Sequence, residues 1–188
     1  MSEELAVQFL EACTQHRDEA GLALQFDTTA LPALCDVKAV PGRVSAVLPV
    51  TPAVSNRYGT LHGGCIATLV DTVGSAALVT ASPKGGVSLN INVNYLSKVA
   101  TGGRVLIEAQ SDVMQVVKVG KTIATIEVYL RDEASGALVA QGTHVKFIAE
   151  QEPTMASLLS HQGQQQQQQQ QQQGAAAGRR TPGIRSRL

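Results

Sequence analysis

The chain has 188 residues, room for one ordinary domain and a tail but not for two large domains. Apolar residues make up 44% and charged residues 16%, enough for a packed core, and 15 Lys plus Arg balance 15 Asp plus Glu, which leaves no basic footprint for nucleic acid. The balance hides a split: residues 1–150 carry 11 basic and 14 acidic side chains, a net of −3, whereas residues 151–188 carry four and one, a net of +3.

In chain order, Leu5, Phe9, Leu10 and Cys13 recur at helical spacing and predict a short amphipathic helix over 3–20. The acidic start MSEELAVQFLEAC lacks the basic and apolar regions of a secretory signal, and no run of about 18 apolar residues predicts a membrane span. After a proline-punctuated stretch, Val44, Ala46, Leu48 and Val50 alternate as a strand over 43–50. His62 to about Ala81 contains no proline and is apolar almost all round, which predicts a helix buried on most sides, ended by Pro83 and Gly85-Gly86. Val87, Leu89, Ile91, Val93 and Tyr95 alternate with Ser88, Asn90, Asn92 and Asn94 in a strict period of two. Further strands are expected at about 103–118, 121–131 and 137–148, the last two joined by a hairpin loop at Asp132–Gly136. The expected fold class is α+β, an antiparallel sheet wrapped around the one long buried helix.

Composition changes at Glu150, so the domain is placed at 1–150. Residues 151–188 form a glutamine-rich tail, with ten consecutive glutamines at Gln164–Gln173 and almost nothing to bury; disorder is expected there. The glutamine run is either an interaction segment or a tolerated repeat expansion. Cys13, Cys35 and Cys65 are odd in number and form no CxxC or zinc-finger spacing, so neither a disulfide framework nor structural zinc is expected, and a reducing compartment fits.

The densest chemical signal is Asn56-Arg57-Tyr58-Gly59-Thr60-Leu61-His62-Gly63-Gly64, which runs into the buried helix. A helix start offers unpaired N–H groups and a positive dipole end, and two glycines let a ligand approach the backbone. That suits an anion, or the oxyanion of a carbonyl under attack; a plain turn also asks for glycine. Asp71 is the only charge between Gly63 and Pro83, and a carboxylate in a buried helix is costly unless paired, so it is either a working group or a structural cap. Gly63 and Asp71 are separated by about 12 Å of helix rise, too far for one carbonyl and its attacking water, so joint action requires a second copy running antiparallel across a two-fold axis.

These segments resemble a known family. NRYGTLHGG, LVDTVGSAALV, GVSLNINVNYLS and VGKTIATIEVYL, in that order, are similar to the hotdog-fold acyl-CoA thioesterases, in particular the phenylacetyl-CoA thioesterase-like group, which also holds a mammalian long-chain enzyme. The resemblance spans about residues 5–148. It implies an acyl-CoA thioester hydrolase acting as a homodimer or homotetramer without a cofactor. It also implies that the Gly63 N–H polarises the thioester carbonyl, with His62 and Asn56 shaping that site. Asp71 of the partner chain would activate water or attack directly, with Ser88 positioning the water. Asn90 and Tyr95 would line the pantetheine path, and Lys118, Gly120, Lys121 and Thr122 would meet coenzyme A near its phosphates. Read without the resemblance, the two lysines also fit a solvated strand edge, the asparagines fit exposure or a subunit contact, and Cys65 fits a small core residue. His16, His144 and His161 have no partner in sequence and receive no role.

Two rivals stand beside hydrolysis: a non-catalytic acyl-CoA-binding hotdog module, and a hotdog enoyl-CoA hydratase, against which the lone Asp71 counts. Ser186-Arg187-Leu188 is similar to the C-terminal Ser-Lys-Leu address read by the peroxisomal import receptor, so a peroxisomal location is expected, with the cytoplasm as the alternative.

Overall fold

Six strands form one antiparallel sheet in the order β1-β2-β4-β5-β6-β3 in this computed structural model. The structure describes residues 2–15, 26–31, 34–115, 121–149, 151, 153–158 and 160. The elements are α1 (Ser2–Gln15), α2 (Phe26–Ala30), β1 (Cys35–Val40), β2 (Arg43–Pro49), α3 (Gly63–Ala81), β3 (Val87–Tyr95), β4 (Arg104–Gln115), β5 (Lys121–Asp132) and β6 (Leu138–Ala149). α3 packs against one face of this sheet, as expected for an antiparallel sheet wrapped around one long buried helix.

The predicted helices and all five predicted strands are present over the described residues; 16–20 of the first helix and 116–118 of the strand expected at 103–118 lie outside them. Beyond the expected elements the structure has α2, a 3-10 turn at Pro52–Val54, and β1, which hydrogen-bonds to β2 across Pro41-Gly42. Gly42 sits at φ +76°, a conformation glycine adopts without penalty, and it closes that hairpin. β1 escaped notice because its inward positions are only half-buried, so its sequence lacks a clean apolar alternation.

By length and composition α3 would pass for a bilayer-crossing helix, yet 78% of that stretch is buried inside the protein. Leu69, Val70, Val73 and Leu78 are fully buried against Val44, Leu48, Ile107, Ile126, Val128 and Leu130 of the sheet. Each such side chain contributes about 1.5–3 kcal/mol by leaving water. Two glycines let helix and sheet close up. A Cβ on Gly142 of β6 would meet Val70 Cγ2 at 2.5 Å, and one on Gly74 of α3 would meet Ile126 Cγ2 at 3.3 Å. That close approach brings β6 to the helix at the level of Asp71.

Past the expected boundary at residue 150 the described chain still touches the domain. Residues 155–158 are helical, Met155 is buried, and its N–H donates to Pro83 O at 2.8 Å. Most of the tail, including the glutamine run and Ser186–Leu188, lies outside the described residues.

Candidate active site

The loop before α3 is held by its own backbone and by Asn56. Its Oδ1 accepts from the Tyr58 N–H at 2.9 Å and the Thr60 N–H at 3.3 Å, while Nδ2 donates to Thr60 Oγ1 at 3.0 Å. Gly59 sits at φ +69°, and its carbonyl accepts from the Thr101 N–H at 2.9 Å. Leu61 then donates to Val99 O and His62 to Val54 O, which fixes the direction in which α3 starts. Asn56 therefore builds the loop and shapes the site indirectly.

His62 is the N-cap of α3. Its Nδ1 accepts from the Gly64 N–H at 2.9 Å, so the neutral ring carries its proton on Nε2. Capping of Gly64 leaves the neighbouring Gly63 N–H without an acceptor among the described residues. The Tyr95 hydroxyl donates to Gly63 O at 3.2 Å, and the ring would lie 3.5 Å from a Cβ at Gly63. Tyr95 thus borders the same helix end as His62 and Gly63.

Asp71 differs from expectation. It was read as a buried carboxylate, yet its side chain is 47% exposed in the protomer. Along α3 the only residues left incompletely covered before the final Ala81 are Gly63, Gly64, Ala67 and Asp71. Gly63, Ala67 and Asp71 are spaced by four and form one open stripe. Beside that stripe runs β3, an edge strand bonded only to β6, on which Val87, Leu89 and Tyr95 are more than half exposed.

Ser88 reaches the site through an irregularity that the alternation hid. In the β3–β6 register Ser88 faces Lys146 and Asn90 faces Val145, so Leu89 is an extra residue, a bulge. The bulge moves Ser88 to the inward face, where Ile91 opposes His144 and Tyr95 opposes Ala140. Ser88 Oγ is 2.9 Å from His144 Nε2. Asn90 keeps to the other face of β3, away from Ser88 and Tyr95, so the expected lining pair of Asn90 and Tyr95 is split. Lys118 and Gly120 lie outside the described residues, as do the side chains of Lys121 and Thr122; only the backbone of these last two is placed, at the start of β5.

Four residues to which the sequence assigns no role join the site. His144 on β6 is fully buried, with Nδ1 3.7 Å from Asp71 Oδ1. That distance exceeds a hydrogen bond, and Nδ1 has no partner. Burial pushes the ring down to about 4, the Lys146 charge pushes the same way, and Asp71 opposes both, so His144 is neutral at pH 7. Ser75, one turn after Asp71, has its hydroxyl 3.4 Å from Asp71 Oδ1, and Lys146 Nζ donates to Ser75 Oγ at 2.9 Å. Asp27 of α2 accepts from Thr72 Oγ1 at 3.3 Å, and its carboxyl is raised by burial and by the charge of Asp71. The faint signal for His144 and Lys146 was their spacing of two from Gly142 and Ile148 on the inward face of β6.

The Cys65 thiol is pushed up to about 11 by burial, in keeping with a core residue. Among the described residues no three His, Cys, Asp or Glu side chains are grouped to hold a metal. The chemistry on offer is a free helix-terminal N–H and a partly exposed carboxylate, a donor for an oxyanion and an acceptor for a proton.

Comparison with known proteins agrees with this architecture. The Thioesterase superfamily matches residues 58–139. Human acyl-coenzyme A thioesterase 13 is 41% identical over 113 residues, covering 60% of this chain and 77% of the human protein. The crystal structure of zebra fish thioesterase superfamily member 2 superposes with a TM-score of 0.62 at 33% identity, covering 76% of this chain and 94% of that one. The mouse thioesterase superfamily member 2 structure gives 0.54 at 37% identity, covering 62% and 83%.

Proposed function

The chain belongs to the thioesterase superfamily, and from that footing we propose that it hydrolyses acyl-CoA thioesters to free acid and coenzyme A at a site shared by two copies of the chain. The observation that carries the reading is the open stripe Gly63–Ala67–Asp71 on a helix whose other residues from Cys65 to Thr80 are buried. Its midpoint is Ala67, a small side chain. A two-fold axis passing near Ala67 would set two α3 helices antiparallel, with Gly63 of one beside Asp71 of the other. The exposed apolar residues of β3 would be covered by the same contact, and the unpaired edge of that strand would meet its twin.

At each of the two sites the Gly63 N–H, at the positive end of the helix, would hold the thioester carbonyl oxygen as charge develops on it. Asp71 of the second copy would take the proton of a water held also by Ser88, and the water oxygen would add to the carbonyl carbon. Collapse of the adduct would break the carbon–sulfur bond, and the proton held by Asp71 would pass to the departing sulfur, releasing coenzyme A as its thiol. His62 and Asn56 fix the helix start, and Tyr95 walls it. Lys121 and Thr122, with Lys118 and Gly120, are proposed contacts for the coenzyme A phosphates.

A panel of acyl-CoA substrates assayed by thiol release tests the reading. The expected result is turnover by the full chain, unaffected by chelator, and loss of at least a hundredfold in Asp71→Asn, the scale of removing a general base. No turnover across aliphatic and aromatic acyl groups would instead leave a binding module. The peroxisomal address at Ser186–Leu188 is a further proposal, with its test below.

A further inference from the structure

Strand β6 turns Ala140, Gly142, His144, Lys146 and Ile148 toward α3, all of them buried. A lysine on such a face is costly unless its amine is satisfied. Lys146 Nζ donates to Ser75 Oγ at 2.9 Å, and Ser75 Oγ lies 3.4 Å from Asp71 Oδ1. An ammonium has donors only, so Ser75 must accept from Lys146, and its single hydroxyl proton is left for Asp71. The chain of contacts therefore runs in one direction, from β6 through Ser75 to the carboxylate. His144 stands on the same oxygen, 3.7 Å from Oδ1. Oδ1 is thus engaged from inside the protomer, while the Asp71 side chain as a whole stays 47% exposed.

We propose that Lys146 is a positioning residue for the hydrolysis: acting through Ser75, it fixes Oδ1 of Asp71 and sets a positive charge behind it, so that the other oxygen is presented to the attacking water. This rests on the reading of Asp71 as the group that activates water. The role is separate from substrate binding, because Lys146 and Ser75 are buried behind Asp71 and do not reach the open face. Removing either link should therefore slow turnover and leave substrate affinity alone. A lysine that merely fills space in the core would give the opposite pattern, with lowered stability and unchanged turnover of the folded fraction.

The test compares Lys146→Met, Ser75→Ala, the double variant and Asp71→Asn in the full chain, with kcat and KM measured on protein shown to be folded by circular dichroism. Each single variant is expected to lower kcat about tenfold with KM within about twofold, the scale of misplacing a catalytic group. The double variant should fall no more than about threefold below the worse single, because both changes cut one connection. Wild-type kcat in either single variant, or losses that multiply in the double, would overturn the proposal. Should Lys146→Met fail to fold, Ser75→Ala decides alone, since it removes one oxygen atom: a fall in kcat at constant KM supports the link and a wild-type kcat overturns it. An Asp71→Asn variant with wild-type turnover would instead bring down the reading of Asp71, and the link with it.

Discussion

His144 and Ser88, 56 residues apart in sequence, are joined at 2.9 Å between Nε2 and Oγ because β3 bulges at Leu89. Without the extra residue Ser88 would follow Asn90, Asn92 and Asn94 to the outer face. With it, the serine shares a face with a buried imidazole that also stands near Asp71. One inserted residue thus decides whether Ser88 faces the site.

The neutral, buried state of His144 has a pH signature. Its ring is held down to about 4 in the folded protein, first by burial and then by the charge of Lys146, against about 6.5 in an unfolded chain. As pH falls through that window the unfolded chain takes up a proton that the folded protein refuses. The stabilisation is therefore present above about pH 6.5 and lost toward pH 4. Urea midpoints at pH 7, 6, 5 and 4 should drop steeply for the wild type and less for His144→Gln. Parallel curves for the two proteins would show that another group carries the acid sensitivity.

Gly142→Ala should destabilise the fold by about 1–3 kcal/mol, the usual cost of overpacking. The added methyl would come within 2.5 Å of Val70 Cγ2 and 2.7 Å of Val70 Cγ1, and Val70 is itself fully buried, with nowhere to turn. Pairing the change with Val70→Ala should recover part of the loss, since it empties the space the methyl needs. Denaturant unfolding of the three variants measures this, and a Gly142→Ala protein as stable as wild type would contradict the packing.

How far the sequence could be read follows from what each signal depends on. The buried helix and the alternating strands rest on local periodicity, so α3 and β2 through β6 were legible, and so was the loop-to-helix turn at His62-Gly63-Gly64. The bulge at Leu89 leaves the pattern of two intact in the letters, so the face of Ser88 was not. The period of two in β6 puts His144 and Lys146 on its inward face, but their meeting with Ser88, Ser75 and Asp71 depends on partners at least 56 residues away. Burial is expected of Asp71 because it lies between Leu69-Val70 and Val73 in a helix with no other charge from Gly63 to Pro83. Its exposure comes from the sheet, which stops at β3 and leaves one stripe of the helix bare.

The chain ending at Leu188 should enter peroxisomes, and a version lacking Ser186–Leu188 should stay in the cytosol, if a receptor reads that tripeptide as a short free tail. An N-terminal fluorescent tag keeps the terminus open, and fluorescence microscopy against a peroxisomal marker reads the outcome. The same distribution for both proteins would make the tripeptide a coincidence of composition in an arginine-rich segment.

A shared active site predicts that two dead proteins can repair each other. Asp71→Ala removes the carboxylate. Gly63→Val removes the approach to the helix end, because a Cβ there already lies 3.5 Å from the Tyr95 ring and a branched side chain must run into it. In either homodimer both sites are broken. In a mixed dimer one site inherits both lesions and the other inherits neither, provided Gly63 and Asp71 of one site come from different chains. Unfolding, mixing in equal amounts and refolding should place about half of all dimers in the mixed form if pairing is random, each with one intact site of two. Activity should then return to about a quarter of wild type per chain. Each variant refolded alone is the control and should stay inactive. Native mass spectrometry counts the mixed dimers independently of activity. Were mixed dimers abundant and the mixture still inactive, Gly63 and Asp71 would have to serve within one chain. The roughly 12 Å of helix between them excludes that for a single thioester carbonyl and its attacking water, so the assignment of one or the other residue would be at fault.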